Sequence, residues 1–179
     1  MTKSDQNLLL RTARESIQSR LENRPPSYEE PPEELLELKG AFVTLHSRGR
    51  LRGCIGTLEA TDPLFEVIQD LSISSGFRDP RFPPLDLSEL DDINIEISVL
   101  TPLEEVTSLA EIEVGTHGLY AKQGLRSGVL LPQVPVEQGW NREEFLSSTC
   151  RKAGLSPDEW KNGNVDFFSF TAEIFAEEA

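Results

Sequence analysis

An α+β fold, with a mostly antiparallel sheet and flanking helices, is what this chain predicts, and three observations carry that expectation. Ile93, Ile95, Ile97 and Val99 alternate with Asn94, Glu96 and Ser98, the pattern of a strand with one buried face. Leu10, Ala13, Ile17 and Leu21 recur at helical spacing. The other strand-like runs come as hairpin pairs rather than in strict alternation with helices, which argues against a doubly wound parallel sheet.

The elements follow in order. Residues 4–22 read as an amphipathic helix with Ser4 as its cap. Residues 23–34 hold Pro25, Pro26, Pro31 and Pro32 and read as an extended linker. Ala41–Leu45 is a short apolar run suited to a strand, and His46-Ser47-Arg48-Gly49 turns it into a second strand around Cys54. Asp62-Pro63 starts a helix with Leu64, Val67, Ile68 and Leu71 on one face, ending near Gly76. A loop rich in Arg and Pro follows, from Phe77 to Pro84. Gly118–Lys122 and Arg126–Leu131 form a second hairpin around Gln123-Gly124. Asn141 with Glu144 caps a helix carrying Phe145, Leu146, Thr149, Cys150 and Ala153, closed by Gly154. Ser156-Pro157 opens a further helical turn through Trp160, and Val165–Phe175 reads as one strand closing the sheet.

Composition narrows the function. The 179 residues suit one domain, a helix and Pro-rich linker at 1–39 followed by a body at about 40–175. A net charge of −14 repels phosphodiester backbones, so nucleic-acid binding is not expected. No apolar run approaches the ~20 residues needed to span a bilayer. The leucine run near the start is too short for a secretion signal. With only Cys54 and Cys150 there is no disulfide framework, and no cysteine or histidine pair has metal-ligand spacing. The chain is expected to be a soluble, cytoplasmic protein without metal or cofactor. No Walker-type loop is present. Arg48, Arg50, Arg52, Arg78, Arg81 and Arg126 fall in or beside Gly/Pro-rich loops. They either converge on an anion or pair with the chain's own surplus acids.

The stretch Leu51-Arg52-Gly53-Cys54-Ile55-Gly56 sets a thiol between glycines and near an arginine. In an extended segment Arg52 and Cys54 share a face, and the guanidinium would favour the thiolate. Gly53 and Gly56 would leave space against bare amides. Cys54 is then a candidate nucleophile with His117 as proton acceptor, His46 being a turn residue. The other reading is a small packed side chain. Cys150 shares a helix face with core residues and is read as core.

The same hexapeptide resembles the signature of the AMMECR domain family. The likeness continues through Asp79-Pro80-Arg81-Phe82-Pro83-Pro84, His117-Gly118-Leu119, Gly128–Val134, Glu137, Trp140, Phe145-Leu146, Cys150, Lys152–Leu155 and Trp160. Phe77-Arg78 departs from it, since an acidic residue is expected beside the aspartate. The resemblance implies two unequal parts with the hexapeptide near a cleft between them. It also implies an AmmeMemoRadiSam-type modification pathway, with a Memo-family protein and a radical-SAM enzyme as partners, but no established reaction. In that setting Cys54, Arg52 and His117 are the candidate catalytic residues. Gly53, Gly56, Asp79, Arg81 and Gln133 are candidate ligand contacts for a small anionic substrate. Asp79 and Arg81 otherwise bond each other and fix their loop, and Gln133 otherwise satisfies a buried backbone group. The alternative to an enzyme is a binding or scaffold module that docks one of those partners.

Overall fold

The structure, a computed structural model, describes residues 1–178. In chain order its elements are α1 (Lys3–Leu21), β1 (Ala41–Ser47), β2 (Arg50–Thr57), α2 (Leu64–Phe77), β3 (Ile93–Leu100), β4 (Glu104–Glu105), β5 (Gly118–Gln123), β6 (Arg126–Leu130), α3 (Gln133–Gln138), α4 (Arg142–Lys152), β7 (Asp166–Phe170) and β8 (Ala172–Ala176), with short 3₁₀ turns between some of them. They form two compact units, Met1–Leu100 with the segment beginning at Glu173, and Thr101–Ala172. Each holds one four-stranded sheet, in the orders β2-β1-β3-β8 and β4-β7-β5-β6, and every pairing with a described register is antiparallel. The α+β expectation holds.

In the first unit α1 and α2 pack on one face of the sheet, burying Val43, Leu45, Ile95 and Ile97 with Leu9, Ile17, Leu64 and Ile68. The cap of α1 is Thr2 rather than Ser4. Asp5 stands three residues on, where its carboxylate accepts Thr2 N–H at 2.9 Å while the Thr2 hydroxyl accepts Asp5 N–H. The Pro-rich segment is packed down: Tyr28 meets the Phe65 ring edge-on at 6.1 Å, its hydroxyl lies 2.9 Å from Ser16 Oγ, and Leu35 is buried. β1 and β2 join through Arg48 and Gly49, both at positive φ (52° and 73°), the turn whose twist suits a two-residue hairpin.

The second unit packs α4 on β5 and β6 around Leu119, Ala121, Phe145, Leu146, Cys150 and Phe167. Asn141 and Glu144 form the expected capping box. The stretch Val165–Phe175 is not one strand. It divides at Thr171, whose N–H donates to Thr101 Oγ1 at 2.9 Å and whose carbonyl accepts Thr101 N–H at 3.0 Å. β7 then belongs to the second sheet and β8 to the first. No helix among the described residues is long and apolar enough to cross a membrane.

Candidate functional site

β2 is an edge strand, and its pairing with β1 is irregular. Leu45 faces Gly53 but His46 faces Leu51, so Arg52 is an extra, bulged residue. Beyond it, Gly53 and Ile55 face the buried Leu45 and Val43, while Cys54 faces Thr44 and Gly56 faces Phe42. Thr44 in turn faces Glu96 on β3, so Cys54, Thr44 and Glu96 form one row across three strands, on the face away from the core.

The space at both glycines is filled by this chain. A Cβ on Gly53 would stand 2.2 Å from the Ser75 carbonyl oxygen, because the last turn of α2 lies directly on the strand. A Cβ on Gly56 would stand 2.2 Å from the Phe42 ring. Ser75 adds a polar tie: its hydroxyl accepts Ile55 N–H at 3.0 Å and donates to the Val43 carbonyl at 2.7 Å.

The outward edge of β2 at Cys54 is met by the loop after α2. Asp79 Oδ2 accepts Cys54 N–H at 2.9 Å, and Arg81 Nη2 donates to the Cys54 carbonyl at 3.2 Å. The two side chains also grip each other, Nε to Oδ1 at 3.0 Å and Nη2 to Oδ2 at 2.7 Å, with Arg81 N–H on Oδ1 at 3.1 Å. The Arg81 guanidinium holds the buried Asp79 carboxyl well below the usual carboxylate range, and Asp79 raises Arg81 in return. The ion pair therefore serves as a clip on an otherwise open edge.

Burial pushes the Cys54 thiol above its ordinary value. The Thr44 hydroxyl, donating to Sγ at 3.1 Å, and the Arg81 charge pull the other way without overcoming it, and Asp79 and Glu96 add to the rise. Arg52 is committed elsewhere, which corrects the expectation that it activates the thiol. Its Nε and Nη2 donate to the two Glu89 oxygens at 2.7 and 2.9 Å, lowering that carboxyl. Its guanidinium also lies 5.9 Å from the Phe82 ring centre, and Arg81 approaches the same ring at 5.5 Å. Arg48 pairs with Asp92. Three of the six loop arginines thus answer the chain's own acids, while Arg50, Arg78 and Arg126 make no ion pair among the described residues.

His117 and Gln133 belong to the second unit. His117 Nδ1 accepts Glu113 N–H at 3.1 Å, which closes the 113–117 loop and commits one ring nitrogen to structure. Gln133 opens α3 and is half-buried. Cys150 is fully buried in the second core, as its helical spacing predicts. No cluster of three or more metal-ligating side chains occurs among the described residues. Thr44, Ser75, Phe82 and Glu89 complete the surroundings of the motif, and sequence spacing alone did not single them out.

Comparison with known proteins agrees with the architecture. Residues 10–175 match the AMMECR1 family. A Methanopyrus kandleri protein is 44% identical over 188 residues, covering 99% of this chain and 91% of its own. A Thermococcus onnurineus protein is 47% identical, covering 95% and 89%. The crystal structure of an uncharacterized Pyrococcus horikoshii protein superposes with a TM-score of 0.94 at 43% identity, over 99% of this chain and 94% of that one. With the glycine-flanked cysteine strand, its Asp-Pro-Arg loop and nearly full-length similarity together, this chain belongs to the AMMECR1 family.

Proposed function

We propose that this chain is a binding module that recognises a small anionic group beside Cys54, without covalent chemistry at the sulfur. The observation that carries this reading is the state of the cations near the thiol. Arg52 is held by Glu89 and Arg81 by Asp79, while burial keeps the thiol protonated at neutral pH. A nucleophilic cysteine needs a lowered pKa and a base, whereas burial raises this thiol and, among the described residues, no histidine or carboxylate hydrogen-bonds Sγ. Arg81 can still take a ligand. Its side chain is 49% exposed, and Nη1 makes no hydrogen bond among the described residues once Nε and Nη2 are engaged. Fixed by Asp79, the guanidinium is preorganised for one further acceptor. In an AmmeMemoRadiSam-type pathway the chemistry would then lie with the Memo-type and radical-SAM partners, and this chain would hold the anionic substrate or dock a partner.

The test is titration of the full chain with acetate, and separately with inorganic phosphate, followed by NMR shifts of the Cys54 and Arg81 amides. Saturable shifts that survive Cys54→Ser and vanish in Arg81→Gln are expected. Absence of any saturable shift, or its loss in Cys54→Ser, contradicts the reading. The thiol-enzyme reading draws on the Thr44 hydroxyl and the Arg81 charge, which both stabilise a thiolate. It requires a reconstituted pathway to lose turnover in Cys54→Ser.

A further inference from the structure

The two hairpins treat their outer edges differently. In β2 the outward N–H and carbonyl of Cys54 are taken by Asp79 and Arg81. The β5–β6 hairpin closes through Gly124 (φ 60°) and Leu125, with Gln123 and Arg126 as the closing pair. A two-residue turn of this kind hydrogen-bonds its closing pair, and bonded and unbonded pairs then alternate along the ladder. Lys122–Ser127 and Tyr120–Val129 are therefore the unbonded pairs. The N–H and carbonyl groups of Ser127 and Val129 point away from β5, along the outer edge of the sheet. β6 is the terminal strand of that sheet, and no side chain or loop among the described residues hydrogen-bonds to those groups.

The rim of this open edge is cationic, in a chain of net charge −14. The end of α4 lies against the strand so closely that a Cβ on Gly128 would stand 2.4 Å from Ala153 N. That contact brings the exposed Arg151 and Lys152 beside it. Arg126 reaches the Gly154 carbonyl at 3.4 Å. None of the three makes an ion pair among the described residues, whereas Arg11, Arg14, Arg24, Arg48, Arg52 and Arg81 all do. Of the acids near this hairpin, Glu159 is engaged by Gln123 Nε2 at 3.2 Å, and Asp166 stands opposite Lys122 on the β7 side of β5, away from the outer edge of β6. Leu125 at the tip is fully exposed.

We propose that the outer edge of β6 accepts an extended, acidic peptide segment of a partner protein as an added strand. Main-chain bonds to Ser127 and Val129 would set the register, and carboxylates on the added strand would face Arg126, Arg151 and Lys152. Charge complementarity selects this occupant over a second copy, because two β6 edges laid together would bring the two basic rims into one interface. The proposal is independent of the chemistry at Cys54.

The test uses the full chain and a short synthetic peptide of alternating valine and glutamate, with amide hydrogen exchange read residue by residue. Saturating peptide is expected to slow the Ser127 and Val129 amides by about tenfold while leaving Cys54 unchanged. Ser127→Pro removes an outward donor without touching the ladder and is expected to abolish the effect, while Ser127→Ala preserves it. Arg126→Glu and Lys152→Glu are each expected to weaken binding by about tenfold. No slowing, equal slowing by a valine–lysine peptide, or an effect that survives Ser127→Pro overturns the proposal. Slowing that rises with protein concentration in the absence of peptide overturns it in favour of self-pairing.

Discussion

The Asp79 carboxylate accepts the main-chain N–H of Cys54 at 2.9 Å, so the residue that gives this family's motif its thiol is held by its backbone. Arg81 completes the clip on the carbonyl side. Loop and strand are thereby one structural unit, and the first predictions concern it.

Asp79→Ala leaves the Cys54 N–H without its acceptor and releases Arg81. A hydrogen bond to a buried charged group is worth about 1.5–3 kcal/mol, and the first unit is expected to lose about that much. Amide exchange checks it: Cys54 N–H accelerates in the variant by far more than amides of α4 in the second unit.

Acid should act through the same carboxylate. The pKa of Asp79 is depressed in the fold, chiefly by Arg81. Its contribution is therefore fully present above the unfolded value of about 3.9 and is lost as pH falls below it. The exposed side of Arg81 moderates its size by solvent screening. Stability should hold through neutral pH and drop on the acid side below about pH 4, and Asp79→Asn should flatten that acid limb in urea titrations at several pH values.

Gly53 and Gly49 make a contrasting pair. Gly53→Ala drives a methyl into the Ser75 carbonyl, a backbone atom that moves only with α2, and is expected to destabilise by about 3 kcal/mol or more. Gly49→Ala meets nothing within 4 Å but sits at φ 73°, and is expected to lose only about 1 kcal/mol. Urea midpoints of the two variants rank them.

Arg52 and Arg81 are separable by their effect on the thiol. Arg52→Gln loses the Glu89 pair and the contact with Phe82 but should leave the Cys54 titration where it is. Arg81→Gln removes a charge that favours the thiolate and should move the midpoint further up. Alkylation rates against pH read both.

Much of this fold is legible in the sequence because local patterning and tertiary burial agree. The isoleucine alternation at 93–99 is β3, and Asn141 with Glu144 is the cap of α4. Illegibility begins where one residue changes the phase. Counting back from the Ser47–Arg50 closure without a bulge would set Gly53 opposite Thr44 and Arg52 opposite the buried Leu45. The extra residue at Arg52 moves Cys54 opposite Thr44 and frees the guanidinium to meet Glu89, 37 positions away. No spacing rule anticipates that partner. β4 has two glutamates and no apolar pattern, and α3 is six residues long with Pro135 in its first turn, too short for a helical period to show. The split at Thr171 rests on its bonds to Thr101, 70 residues earlier.

On the proposed reading Cys54 is a protonated, non-nucleophilic thiol within a binding surface. Its alkylation rate against pH, measured in a Cys150→Ala background so that one thiol remains, tests this most directly. The expected midpoint lies above the value of about 8.5 for a free cysteine. A midpoint well below that value would contradict it and make Cys54 an activated nucleophile.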